Sequence, residues 1–401
     1  VSPSLPCGYN RHAGGRPVNQ WGGGRNDVGH PVLEIDRGTV IMKLQHDLLA
    51  GNGGGRRRVL VVQPLVGIGD MVWHKPWIDH LAAHVDVILA CKPTAKAPVL
   101  FSGTSGITDW ISIERSLRGK TGRHDGPLGL LRLAGAFRAS RADDVLILHH
   151  SATYGMAARL AGIRHRWGYG IGGSRRWLNH GAFLGREARY EHPTRKLADF
   201  AHMNGFGLAS PQWHMPPTST AQRAADSWCD ECGIPRFGDT RSGLRDMVVM
   251  GVGAMDDERK WPPAHFAALA ARLRNHAPTT RILVMGAPSE QPIIDAVLAD
   301  PAAPAGLMAN TAPLDEAIAL INAARLYVGN DTSLLNIAAA CGRPAAGIFA
   351  QSTPLDYSDA IIPIAEPDGR FGEPGAIARI TAAQAFDVVA GVLDGQSAAG
   401  T

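Results

Sequence analysis

Two short polar turns hold the residues whose types and spacing could do chemistry. The first is Gly329-Asn330-Asp331-Thr332-Ser333. It breaks the apolar run Arg325-Leu326-Tyr327-Val328 and precedes a compact apolar segment from Leu334 to Cys341. Gly342 and Pro344 stop that segment, and Ala345 to Phe349 reads as the next buried strand. This order of strand, turn, helix and strand puts the turn at the carboxyl end of a strand, where open α/β sheets bind ligands. The helix start offers unpaired N–H groups and partial positive charge, which suits a phosphate. An ordinary βαβ unit whose Asp331 and Ser333 merely cap a helix fits the same residues. The second turn is Gly67-Ile68-Gly69-Asp70, directly behind Val59-Leu60-Val61-Val62. It lacks the third glycine of a dinucleotide-binding Gly-x-Gly-x-x-Gly, because that position is Val72. By itself it reads as a structural turn with Asp70 capping a helix.

A third group is basic and aromatic. Arg164, Arg166, Arg175 and Arg176 are interleaved with Trp167, Tyr169 and Trp177 between Gly162 and Glu191. Arginine beside aromatics suits an anionic sugar, a phosphate or an anionic membrane surface. His149, His150 and Ser151 follow the strand Asp144 to Leu148. Adjacent strand-end histidines point to opposite faces, so at most one of the two reaches a substrate. Cys229-x-x-Cys232 has no second pair and a helical setting, which argues against zinc. No Asp-x-Asp pair occurs, so no metal ligand is assigned; Mg²⁺ is left open.

Stepping these groups into place requires alternating strands and helices. The chain has 401 residues, 45% hydrophobic and 19% charged, enough for two ordinary domains. Strands at 59–62, 85–90, 109–113 and 144–148 alternate with helices at 70–84, 128–139 and 152–161. A linker near 211–217 and an amphipathic helix at 218–232 precede a second alternating block. That block has strands at 247–252, 282–285 and 325–328, and helices at 265–276, 291–298 and 314–324. A last amphipathic helix covers 382–393. This alternation predicts doubly wound α/β halves. Residues 1–55 are Gly-rich and read as a flexible extension. Net charge is +4, with no Lys/Arg stripe among aromatics, so no nucleic-acid partner is expected. Five scattered cysteines, no span of about 20 apolar residues and no visible signal segment predict a cytoplasmic protein.

VLVVQPLVGIGDMVWHKPWIDHL and GNDTSLLNIAAACGRPAAGIF together resemble the two signatures of the family nine glycosyltransferases, the bacterial heptosyltransferase family. The resemblance covers about Arg56 to Leu393. Ser333 stands where the family usually has Gly, and Asn336 where it usually has His. It implies an α/β GT-B fold, two Rossmann-like doubly wound domains facing a central cleft. The expected boundaries are 56–216 for the acceptor half, 217–380 for the nucleotide-sugar half, and 381–401 for a terminal helix packing back on the first half. Asp70 matches the family's catalytic base. Gly253, Arg259, Lys260, Glu290, Asp331, Thr332, Ser333, Leu334 and Asn336 match the donor site. Arg259 or Lys260 would hold the diphosphate and Glu290 the ribose. Gly69, His149, Arg164, Arg166, Arg175 and Arg176 are assigned to the acceptor. The implied activity is inverting transfer of a sugar, heptose from an ADP-linked donor in the family's best-known case, to a lipopolysaccharide-core or other glycan. No cofactor is required, and peripheral contact with the cytoplasmic face of the inner membrane is left open. A GT-B nucleotide-sugar epimerase and an inactive nucleotide-sugar-binding protein are the alternatives.

Overall fold

The computed structural model describes residues 48–49, 56–116, 122–206, 213–238 and 243–399. The extension read at 1–55 lies outside these, apart from Leu48 and Leu49; Leu48 is fully buried.

Two parallel sheets form the frame. The first contains β1 (Arg58–Gln63), β2 (Asp86–Cys91), β3 (Ile107–Ser112), β4 (Asp144–Ile147) and β5 (His165–Gly168), in the order β3-β2-β1-β4-β5. The second contains β6 (Arg245–Gly251), β7 (Arg281–Met285), β8 (Met308–Asn310), β9 (Ala324–Asn330), β10 (Ala345–Phe349) and β11 (Ile361–Ala365), in the order β11-β10-β9-β6-β7-β8. In each sheet the winding reverses between two central strands, β1 and β4 in the first and β6 and β9 in the second. The loops behind those four strands border the crevices where such sheets bind ligands.

The helices between strands are α1 (Ile68–His84), α2 (Ala97–Leu100), α3 (Gly126–Ala139), α4 (Ala152–Leu160), α5 (Pro193–Met203) and α6 (Ser219–Glu231). They continue as α7 (Pro263–His276), α8 (Gln291–Leu298), α9 (Leu314–Ala323), α10 (Ser333–Ala340), α11 (Ala376–Arg379) and α12 (Ala382–Ala399). Strand periodicity sorts the core. Leu60 and Val62 pack outward with Leu133, Phe137 and Tyr154 of α3 and α4. Val59 and Val61 face the other way, into a central core with Met71 and Ile78 of α1. That core continues into the second half through Leu335, Ile337 and Phe349. A third core lies on the outer face of the second sheet around Trp261 and Phe266.

Three strands escape the sequence pattern. β5, inside the basic and aromatic stretch where the sequence predicts no strand, is a four-residue edge strand with only Trp167 and Gly168 buried. β8 and β11 are the edges of the second sheet; β8 is three residues long with no β-branched one, and Pro363 interrupts the isoleucines of β11. Two expectations are corrected. The terminal helix does not return to the first half: Ala385, Val389 and Leu393 of α12 enter the third core, and Arg325 donates to the Leu393 carbonyl at 3.2 Å. β4 stops at Ile147, so strand alternation does not govern His149 and His150. Their rings stack at 4.5 Å with an 18° interplanar angle.

Candidate active site

Asp70 lies inside the first turn of α1, not before it. Its Oδ2 accepts the Gly67 N–H at 2.9 Å, so the carboxylate is held at the helix start. Burial pushes the Asp70 carboxyl above the usual carboxylate range, while the Gly67 N–H and the charge of Arg259 pull it back. One turn on, His74 is buried, and its Nδ1 lies 2.6 Å from the Asp70 carbonyl. Burial lowers the His74 pKa to about 4, so this ring is neutral at pH 7. His149 follows β4, across the switch point from Asp70. Its Nδ1 accepts the Ser151 N–H at 2.9 Å, and burial lowers its pKa to about 3. It is a neutral imidazole whose proton sits on Nε2.

The second half contributes the loops behind β6, β7 and β9. Asp331 is held by Ser352, whose Oγ donates to Oδ2 at 3.2 Å, and pairs with Arg259 Nη1 at 3.6 Å. Burial raises the Asp331 pKa, opposed by Arg259 and the Ser352 hydroxyl. Arg259 therefore acts on a carboxylate from each half, Asp331 beside it and Asp70 across the cleft. Lys260 leans the other way, onto Asp257 at 2.6 Å. Glu290 accepts the Ala287 N–H at 2.6 Å and packs directly on Gly253, where a Cβ would stand 1.9 Å from its Oε2. Thr332 precedes α10 with extended backbone, and no side chain caps that helix. The N–H groups around Ser333 and Leu334 are free of any side-chain cap.

Asn330 was not singled out by sequence, yet it organises this half. Its Oδ1 accepts the Trp261 N–H at 3.0 Å, and its Nδ2 donates to the Val252 and Gly253 carbonyls at 2.9 and 3.3 Å. One fully buried amide thus sets the start and end of the loop that carries Arg259. Its place in the Gly-Asn-Asp turn was the only signal. Asn336 is occupied by protein. Its Oδ1 accepts Trp73 Nε1 at 2.7 Å and the Tyr357 hydroxyl, and its Nδ2 donates to the Thr332 carbonyl at 2.8 Å. Gly69 packs on the same amide; a Cβ there would lie 3.2 Å from Nδ2. His192 and Trp213 complete an aromatic cluster around Trp73 and Tyr357.

Two of the arginines assigned to an acceptor, Arg164 and Arg166, do not join this site. Arg164 precedes β5, and the parallel register puts it at the opposite end of the sheet from Asp70. Arg166 spends its guanidinium on the carbonyls of Trp177, Ile163 and Arg164 at 2.8, 2.7 and 3.1 Å. Arg175 and Arg176 are exposed on a turn (Gly172–Trp177) that packs on α4, where a Cβ at Gly155 would meet Trp177 at 2.6 Å. Clustering in sequence had suggested one surface; the topology of β5 divides it. Among the described residues, no group of three or more His, Cys, Asp or Glu is placed to hold a metal ion.

Residues 130–371 match the family model described as glycosyltransferase family 9 (heptosyltransferase). The chain is 26% identical over 234 residues to lipopolysaccharide heptosyltransferase 2 of Escherichia coli K12, a match covering 56% of this chain and 64% of that relative. The chain thus spans a little under two thirds of the curated relative it matches. Among solved structures, a family 9 glycosyl transferase from Veillonella parvula superimposes with a TM-score of 0.67 at 16% identity, over 84% of this chain and 97% of that one. The E. coli ADP-heptose lipopolysaccharide heptosyltransferase II gives a TM-score of 0.62 at 21% identity, over 85% and 99%. Both share the GT-B arrangement of two facing Rossmann-like halves.

Proposed function

Because the chain belongs to glycosyltransferase family 9, the heptosyltransferase family, we propose that it moves a sugar from a nucleotide-sugar donor to a glycan hydroxyl with inversion. The donor is ADP-heptose and the acceptor a lipopolysaccharide core, as the names of the relatives suggest. The observation that carries this reading is the placement of Arg259. It pairs with Asp331 of the second half while its charge reaches Asp70 of the first.

In this mechanism Asp70 accepts the proton of an acceptor hydroxyl as that oxygen attacks the anomeric carbon. The bond from that carbon to the diphosphate breaks on the opposite face. Negative charge then grows on the leaving phosphate, where Arg259 and the uncapped start of α10 stabilise it. Glu290 accepts ribose hydroxyls beside Gly253. Lys260 joins by leaving Asp257, a surface partner 93% exposed that holds it weakly. His149 offers its Nε2 proton to the acceptor side.

The test is thermal melting with ADP, UDP, GDP and their sugar conjugates, followed by an assay with and without acceptor. A ligand at 100 times its Kd stabilises by about 2.7 kcal/mol. Stabilisation by ADP-heptose with acceptor-dependent turnover is the expected result. Donor conversion without acceptor would mean an epimerase, and binding without turnover an inactive binder; either overturns the proposal.

A further inference from the structure

α3 has two faces. Gly129, Leu133, Ala134 and Phe137 are buried in the outer core of the first sheet. On the other side Leu128 is 68% and Leu131 58% exposed, with Arg132 beside them. α4 runs alongside, tied on by Arg138, which donates to the Ala161 and Leu160 carbonyls at 3.3 and 3.4 Å. Leu160 is 46% exposed, flanked by the exposed Arg159 and Arg164. Single exposed leucines need no explanation, but three on one pair of helices among arginines do.

The charge is equally one-sided. Residues 122–166 contain seven arginines and three aspartates, with no lysine or glutamate. The whole chain carries +4, so the remainder is balanced and its excess lies in this segment. Asp144 and Asp125 are engaged by the protein, and Asp143 is exposed at the amino end of β4, away from the start of α3. Asp144 is fully buried, Asp125 accepts N–H groups from Ser116 and Gly122, and Asp143 accepts the Arg58 N–H. Because this layer lies on the face of the first sheet away from the second half, neither half covers it.

We propose that the outer face of α3 and α4 docks on an anionic lipid bilayer, with the leucines entering the headgroup boundary and the arginines meeting lipid phosphates. Apolar side chains ringed by arginine suit that interface. A second copy of the chain is disfavoured, since self-pairing would set arginine against arginine. The amino end of α3 lies at the carboxyl end of the sheet, the end that carries Asp70. Glu114, just past β3, accepts the His124 N–H there at 2.9 Å. Docking would therefore bring the bilayer beside the cleft, and its use rests on the proposed lipid-linked acceptor.

The experiment is co-sedimentation of the full chain with phosphatidylcholine vesicles and with vesicles containing phosphatidylglycerol, at low and high salt. Binding to the anionic vesicles that weakens with salt is expected. Leu128→Asn with Leu131→Asn should weaken it more than about tenfold, since two leucines lose their burial in lipid. Arg132→Gln should weaken it about fivefold. The leucines are exposed, so an unchanged Tm confirms the variants fold. No binding to anionic vesicles, equal binding to both vesicle types, or a solution dimer dissolved by the leucine pair would overturn the proposal. ADP-induced stabilisation without vesicles separates the two readings: its loss beside intact vesicle binding defeats sugar transfer and leaves docking standing.

Discussion

Trp73 Nε1 donates to Asn336 Oδ1 at 2.7 Å, a hydrogen bond that joins α1 of the first half to α10 of the second. Tyr357 shares the same oxygen. Asn336→Ala strands an indole N–H and a phenol hydroxyl at a half-buried junction. A loss of about 1–3 kcal/mol in denaturant unfolding is expected. An unchanged midpoint would mean water replaces the amide without cost.

Asp70→Asn keeps the shape of the turn, because the amide oxygen can still accept the Gly67 N–H. Transfer should fall about 10²–10⁴-fold while ADP-induced stabilisation persists. Equal loss of both would remove Asp70 from the role of base.

The same substitution should stabilise the fold. The folded protein raises the Asp70 pKa, so it favours the protonated form relative to the unfolded chain. Ionised Asp70 then costs stability, and the cost grows as pH rises from the unfolded value, near 3.9, through the folded one. Asp70→Asn should melt higher than the parent at pH 7, with the difference fading below about pH 4. The acid limb of the transfer rate should also sit above an ordinary carboxylate.

His74 and His192 act in the opposite direction. Burial lowers both to about 4, so the fold favours the neutral rings. Their stabilising contribution is present above the unfolded value, near 6.5, and is lost as pH falls towards 4. For the buried His74, a shift of that size corresponds to about 3 kcal/mol. Urea midpoints should drop between pH 7 and pH 5, and His74→Gln should flatten the drop. A pH-independent midpoint would contradict the assignment.

Asn330→Ala leaves the Trp261 N–H and two carbonyls of the Arg259 loop unpaired in a buried setting. Stability should fall by about 2–4 kcal/mol, and ADP binding should weaken with it. A stability loss with unaltered ADP affinity would show that the loop holds its shape without the amide.

The sequence made the interior strands legible, since Val59–Val62 and Ala345–Phe349 are buried on both faces and read as unbroken apolar runs. The edges were not: β5 begins His-Arg, and its hydrogen bonds to β4 leave no mark in composition. The site turns were visible because glycine and Asp break apolar runs at fixed offsets. Asn330 and Trp73 were missed because their partners lie 69 and 263 residues away. Arg164 and Arg166 were misplaced for a related reason, since nearness in sequence said nothing about which end of β5 each would occupy.

The central core draws Met71 and Ile78 from one half and Leu335 and Phe349 from the other. Two-domain chains ordinarily melt in steps, each domain by its own enthalpy. Here neither half can melt without exposing the apolar face of its neighbour. The boundary between them is a matter of topology and not of thermodynamics, and calorimetry should record one cooperative transition.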